Sequence, residues 1–277
     1  MSKVSVIIPF YNGVDWLCEA VQSVLNQTYQ NFVLYIRDDN STDDTNKIIE
    51  EYTQKYQDRI IQVKDKNIAK GACKNFMFLL KHVYSLNKHD VFMFCDQDDV
   101  WLPTKVSDQL DAMLECEGCH INTPIVVHSD LLVVDSDLNL ISNSFWKYSN
   151  INIRQRDFNF LGVKNIVTGC AMMLNRRAID CSLPFKPETR MHDAWIVLNV
   201  LKSGGQLVSM ETPTIKYRQH DNNVVGAVVQ GNIFRNKILK ICTVIKENRE
   251  QWKMLKIIGY GSLFKYIYFK LRSCINT

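Results

Sequence analysis

The sequence predicts an α/β chain, a mostly parallel central sheet flanked by helices and followed by a helical C-terminal tail. Three observations lead there. Over residues 1–100, short β-branched runs alternate with longer segments whose apolar residues recur every three or four positions, as in βα units laid on a parallel sheet. From Pro124 the strand-like runs follow one another more closely, with few long helices between them. After Val224 the chain turns helical and basic to its end.

The elements follow in order. Strands are expected at Val4 to Ile8, Phe32 to Arg37, Ile60 to Val63 and Val91 to Cys95, with helices between them at Val14 to Leu25, Asp43 to Tyr56 and Gly71 to Tyr84. Ser41 followed by Asp44 has the form of a capping box at the second helix. Further strands are expected at Ile125 to His128, Leu131 to Val134, Asn165 to Thr168, Cys170 to Leu174 and Thr214 to Tyr217. A helix start is expected at Asp193, ahead of the apolar run from Ala194. Residues 1–227 read as one body, with halves at 1–100 and 101–227, and residues 228–277 as an extension.

Composition narrows the class. At 277 residues and 46% hydrophobic, the chain can bury a large core, which excludes a disordered or fibrous protein. No run of eighteen apolar residues occurs and Met1 leads directly into a strand, so a cytoplasmic protein without membrane spans is expected. Nine irregularly placed cysteines argue against a disulfide scaffold. Net charge is +4, but residues 228–277 hold ten Lys or Arg against two Glu, or +8, leaving −4 for the rest. An acidic body does not suit nucleic-acid binding. The tail's apolar spacing (Ile238, Ile241, Ile245, then Leu255, Ile258, Leu263, Ile267, Leu271), with its lysines, admits two readings: helices packed on the body, or helices on the anionic inner face of a membrane.

In an open parallel sheet, ligands bind beyond the carboxyl ends of the strands. Those positions here are Pro9 to Gly13, Asp38 to Ser41 and Asp96 to Asp99. Asn12 with Gly13 also suits a plain turn, and Asp38 to Thr45 is partly helix capping. Asp96, Asp98 and Asp99 are harder to explain as surface, because three adjoining carboxylates repel one another unless a cation compensates them. Oxygen donors favour Mg²⁺ or Mn²⁺. Asp193 suits either a helix start or a general base aimed into a cleft. Tyr217 to Asn223 supplies Arg218 for phosphate and His220 for metal or phosphate. Cys116 to His120 is formally a haem-attachment pattern, more simply a helix end closed by Gly118, and the Asn26 sequon carries no information in a cytoplasmic chain.

Together these segments resemble family 2 glycosyltransferases, which have the Rossmann-like GT-A fold. The resemblance rests on Val4–Asn12 (VSVIIPFYN), Asp38–Thr45 (DDNSTDDT), Asp96–Trp101 (DQDDVW) and His192 with Asp193, in that order, over residues 3 to about 223. The DQDDVW form, Val167–Met173 (VTGCAMM), His192–Trp195 and Tyr217–His220 are most similar to bacterial rhamnosyltransferase-type enzymes of surface polysaccharide assembly. The resemblance implies that Pro9, Tyr11 and Asn12 line a nucleotide pocket and that Asp38 and Asp39 read base and ribose. Lys74 stands where the family usually has Arg. Asp96 and Asp98 would form the Asp-x-Asp element holding Mn²⁺ or Mg²⁺, with His220 beside them, and Asp96 and Arg218 would face the diphosphate. Asp193 would be the base, and Thr168, Gly169, His192 and Trp195 would face donor or acceptor sugar. The implied partners are a dTDP- or UDP-sugar donor and a glycan or polyprenyl-linked acceptor, in an inverting transfer.

Two rivals remain. Phe94 to Val100 also resembles the Asp-x-Asp-x-Val nucleophile motif of haloacid-dehalogenase-type phosphatases, although three βα units precede it and no Gly-Asp-x-x-x-Asp loop follows. A nucleotide-sugar-binding protein without turnover is the other.

Overall fold

The computed structural model describes residues 2–65, 71–220 and 237–275, with the side chains of 237–243 and 274–275 left aside. Its first half is β1 (Val4–Phe10), α1 (Val14–Leu25), β2 (Phe32–Asp38), α2 (Thr45–Lys55), β3 (Ile60–Gln62), α3 (Ala72–Ser85) and β4 (Val91–Phe94). Then come β5 (Val100–Trp101), α4 (Lys105–Cys119), β6 (Ile125–Ser129), β7 (Leu132–Val134), β8 (Leu140–Ser142) and the short helices α5 (Phe145–Tyr148) and α6 (Phe158–Val163). A 3₁₀ turn at Gly169–Ala171 leads into β9 (Met172–Asn175), followed by α7 (Arg176–Asp180), α8 (His192–Lys202), β10 (Gln206–Met210), β11 (Ile215–Arg218), α9 (Lys237–Ile258) and α10 (Leu263–Ile275). Asp221, Asn222, Asn223 and residues 228–236 of the tail lie outside the described residues, as do the side chains of Ile238, Lys240 and Ile241.

Seven strands form the main sheet in the order β10-β6-β9-β4-β1-β2-β3, and β5-β11-β7-β8 form a smaller one. Every residue of β1 is buried, because both faces of the sheet are covered. Side-chain alternation then divides the core: Ile7, Val33, Tyr35 and Phe92 face one layer, while Val6, Ile8, Leu34 and Met93 face the other.

β9 runs antiparallel to both β4 and β6, whereas the other pairings of the main sheet are parallel. Its start therefore lies at the edge where β4 ends. This reversal sets Thr168–Cys170 against Cys95–Asp99, two stretches about seventy residues apart in sequence.

Four local expectations change. Asn165 to Thr168 is not a strand, because the Asn165 side chain turns back to bond Val167 through N–H and C=O. Cys170 and Ala171 belong to the 3₁₀ turn, so the strand begins at Met172. Ser41 caps no helix, since its hydroxyl accepts from Asn12 N (2.8 Å) and donates to Asp38. Gly118 lies inside the last turn of α4, and His120 is the residue that caps its end.

The tail packs. Met254, Leu255, Ile258, Tyr260 and Tyr266 are buried in the layer that holds Trp195 and Phe160. Among the described residues, no helix is long and apolar enough to cross a membrane, and the seven cysteines described are free.

Candidate active site

The loops after β1, β2 and β4 are stitched together at the carboxyl edge of the sheet. Tyr11 N donates to Gln97 Oε1 at 2.9 Å, Thr42 N to Asn12 Oδ1 at 2.8 Å, and Gly13 N to Thr45 Oγ1 at 2.9 Å. Asn12 takes the left-handed conformation (φ 46°), which asparagine tolerates. A Cβ on Gly13 would stand 2.8 Å from Gln97 Oε1, so a larger residue there would displace Gln97 from its bond to Tyr11 N.

Asp39 is fixed from behind. Its N–H donates to Phe10 O at 2.8 Å, and its carboxylate pairs at 3.0 Å with Arg37, both groups being buried. Arg37 also donates to Asn75 and lies over the Phe78 ring, 4.6 Å from its centroid. Arg37 escaped the sequence reading, though residues two apart in a strand share a face. Around this carboxylate, Tyr11 is 56% exposed, Lys74 is exposed on the first turn of α3, and Pro9 is a buried position of β1 opposite Arg37. Asp38 is occupied locally, accepting from Ser41 N at 3.1 Å.

Beyond β4 the carboxylates converge. Asp99 is fully buried, with Oδ1 accepting from Arg218 N at 3.2 Å and the carboxyl otherwise enclosed beside the Cys170 thiol. Burial, and then the charges of Asp98 and Asp96, push its pKa well above the carboxylate range. Burial pushes Asp96 up to about 7, with further contributions from the charges of Asp98 and Asp193. Asp98 Oδ2 meets His220 Nε2 at 2.9 Å. Behind the cluster, buried Lys105 bonds Gln109 (2.8 Å) and Thr214 (3.4 Å), and burial pulls its ammonium down to about 8.

Concentrated, mutually disfavoured negative charge with an enclosed carboxylate oxygen is what a divalent cation would relieve, so these residues fit one. Asp96, Asp99 and Cys170 have donor atoms within 4.8 Å of one another. Cys170 is the poor member of that set, because burial pushes its thiol well above the ordinary range and a protonated sulfur does not suit a hard ion. The oxygen donors of Asp96 and Asp99 suit Mg²⁺ or Mn²⁺ better, while Asp98, paired with His220, stands next to that group and outside its 4.8 Å circle.

The second candidate carboxylate lies at the start of α8. Asp193 is 5% exposed and lies in the helix's first turn. Oδ1 accepts from Ala194 N at 2.6 Å and Oδ2 from Asn165 Nδ2 at 3.1 Å, while burial lifts its pKa to about 6. Besides Asp96, its charge is felt by Cys73, whose thiol burial pushes up to about 12. Asn165 carried no signal in sequence, since it is 28 residues from its partner.

Three residues expected at the ligand face inward instead. His192 stacks on Phe76 (centroids 4.5 Å apart), meets Phe94 edge-on at 5.0 Å, and leaves both ring nitrogens unbonded. Burial pulls its pKa down to about 4, so it is a neutral core aromatic. It fills the space beneath Gly169, where a Cβ would come within 2.7 Å of Nε2. Trp195 is 3% exposed and spends its indole N–H on Ser182 O at 2.8 Å, leaving no surface for a sugar. Arg218 is 1% exposed, and its guanidinium donates to Asp98 O (2.8 Å), Ser136 O and Glu19. It is a strut of the acidic loop rather than an open phosphate cation. Trp16, also missed in the sequence, lies between Arg218 (4.3 Å) and the His220 ring (5.5 Å, 17° between planes). Thr168 is half-buried beside these groups and Gly169 is buried.

Comparison with known proteins agrees with this geometry. The family described as Glycosyl transferase family 2 matches residues 5–183. Relatives include dTDP-rhamnosyl transferase RfbG of Shigella flexneri, 25% identical over 86% of this chain and 84% of its own. Another is the UDP-Glc:alpha-D-GlcNAc-diphosphoundecaprenol beta-1,3-glucosyltransferase WfaP of Escherichia coli, 29% identical over 87% of this chain and 86% of its own. Among solved structures, the mannosyltransferase PcManGT from Pyrobaculum calidifontis with GDP-Man and Mn²⁺ superposes with a TM-score of 0.59 at 15% identity, over 94% of this chain and 65% of that one. S. aureus TarS 1-349 with UDP-GlcNAc gives 0.58 at 15% identity, over 90% of this chain and 66% of that one. These neighbours are GT-A glycosyltransferases, and the likeness shows that fold here. The phosphatase rival falls away with it. This chain belongs to glycosyl transferase family 2.

Proposed function

We propose that the enzyme is an inverting, divalent-metal-dependent hexosyltransferase acting in bacterial surface polysaccharide synthesis. Its donor would be a dTDP- or UDP-sugar, and its acceptor a hydroxyl of a glycan or polyprenyl-linked glycan. The likeness to RfbG favours L-rhamnose carried on dTDP. The name of WfaP makes UDP-glucose the competing donor and a diphosphoundecaprenol-linked sugar the competing class of acceptor. The observation that carries the reading is a buried, doubly hydrogen-bonded carboxylate, Asp193, whose charge is felt by Asp96 in the acidic loop.

In this mechanism Asp39 holds ribose and base, Asp38 fixes the Ser41 turn beside it, and Tyr11, Asn12 and the Pro9 turn form the wall. Asp96, Asp98 and His220 would hold Mn²⁺ or Mg²⁺, which when bound supplies positive charge beside the diphosphate. Lys74, exposed at the start of α3, adds a mobile cation. The acceptor oxygen bonds to the anomeric carbon from the side opposite the leaving group. The bond from that carbon to the phosphate oxygen breaks, and the nucleoside diphosphate departs with the electron pair. Asp193 takes the hydroxyl proton. Asn165 and Ala194 N orient its two oxygens, and the dry surroundings keep water from competing. Thr168 and Gly169 flank the sugar.

The test is a panel of sugar nucleotides with Mn²⁺ and a lipid-linked or synthetic glycan acceptor, read by product mass and anomeric configuration. Transfer with inversion from one dTDP- or UDP-sugar is expected. Retention of configuration, or phosphate-ester hydrolysis in place of transfer, contradicts the reading.

A further inference from the structure

The tail helix α10 has two unlike sides. Its inner side is pinned. Tyr266 is 5% exposed and donates to Asn248 Oδ1 and Gln251 Oε1, both at 3.1 Å, and Lys270 Nζ reaches Val163 O and Gln251 Oε1, both at 3.2 Å. Its outer side is apolar and uncovered. Leu263, Ile267 and Leu271 stand on one ridge, 49%, 46% and 62% exposed, and Phe264 and Tyr268 on the next, 86% and 57% exposed. A helix whose only task was to cover the body would carry polar residues there.

The charges that α10 itself carries share one sign. Lys265 lies half-buried beside Tyr260, Arg272 is exposed, and α10 contains no Asp or Glu. The excess of +8 in residues 228–277 stands against −4 in the rest of the chain.

We propose that this outer face of α10 lies flat in the surface of an anionic phospholipid bilayer. Phe264, Leu263, Ile267 and Leu271 enter the acyl boundary, Tyr268 keeps its hydroxyl among the headgroups, and Lys265 and Arg272 meet the phosphates. A second copy of the chain is a poorer occupant, because a two-fold contact through this face would bring the basic residues of both copies together with no carboxylate of α10 between them. The inference does not depend on the proposed transfer reaction, since the face and its charges are independent of the cleft.

The experiment is flotation of the full-length protein with vesicles of phosphatidylglycerol mixed into phosphatidylcholine, alongside pure phosphatidylcholine vesicles. The parent should float with the anionic vesicles and lose most of that binding at high salt. Lys265→Ala with Arg272→Ala should weaken partitioning about 25-fold, taking about fivefold for each basic residue at the surface. Phe264→Ser with Tyr268→Ser and Leu271→Ser should abolish it while the protein stays folded, with only a small fall in melting temperature, because these side chains are more than half exposed. Binding unchanged in both variants overturns the proposal. So does a parent that sediments as a dimer, ignores vesicles and is split by the serine substitutions, which would assign the face to a second copy. No sugar transfer is measured, so failure here leaves the reaction assignment standing.

Discussion

Replacing Asp193 by Asn should stop transfer and should make the protein gain stability relative to its parent as pH rises from 4.5 to 6.5. Burial lifts this carboxyl from an ordinary value near 3.8 to about 6. The folded state therefore binds the proton more tightly than the unfolded chain does. That stabilisation is complete below pH 4 and is lost as pH rises through 6. About two pH units at 1.36 kcal/mol each amount to roughly 3 kcal/mol forfeited by the ionised parent at neutral pH. The neutral amide of the variant would carry no such penalty, but it costs a fixed amount. Two donors, Asn165 Nδ2 and Ala194 N, face the side chain, so its NH₂ would oppose one of them whichever way it turns, and Asn165 cannot turn over without losing its bonds to Val167. Because that cost, about 1–3 kcal/mol, is independent of pH, the pH slope isolates the burial effect. Thermal melts of both proteins should diverge in favour of the variant by about 2 kcal/mol between pH 4.5 and 6.5, or about 3 °C in Tm. Sugar-nucleotide affinity should be unchanged. Parallel stability curves, or transfer rates equal to the parent's, would refute the assignment of Asp193 as a buried base.

In the parent, kcat/KM should fall about tenfold per pH unit below pH 6 as Asp193 is protonated, which a pH–rate profile reads directly. Asp98→Asn should raise the Mn²⁺ concentration needed for half-maximal nucleotide binding by at least tenfold, measured by calorimetry at fixed nucleotide. Gly169→Ala should destabilise by about 1–3 kcal/mol, because its Cβ would press within 2.7 Å of His192; denaturant unfolding checks it, and a second substitution, His192→Ala, should recover part of the loss. Arg218→Lys and Lys74→Ala should separate folding from binding. The first should lower stability by about 2 kcal/mol or more through lost bonds to Glu19 and Ser136, and the second should raise the donor KM with the melting temperature unchanged.

The donor half of the molecule was legible because its strands are buried on both faces and read as unbroken apolar runs, and because parallel topology brings the residues after them to one edge. Asp39, Asp96 and Asp98 were placed at that edge in this way. What escaped depends on direction and on distant partners. Nothing local marks β9 as reversed, so Asn165 to Thr168 reads as a strand although it is the approach to a turn. Arg218 has the composition of a phosphate ligand, and only its distant bonds to Glu19 and Ser136 show that it points inward. His192 beside a carboxylate suggests chemistry, yet Phe76 and Phe94, more than ninety residues earlier, make it an aromatic filler.

The reversed strand has a bearing on synthesis. β4 is an interior strand only once β9 has docked on its free edge, and β9 leaves the ribosome about eighty residues after β4 does. During that interval Val91–Phe94 offers an open row of backbone donors and acceptors beside side chains that are fully apolar, the kind of template on which a second nascent chain can pair. Substitutions that slow the arrival of β9, at the 3₁₀ turn or at Gly169, should therefore lower the yield of soluble protein more than their effect on the finished fold would suggest.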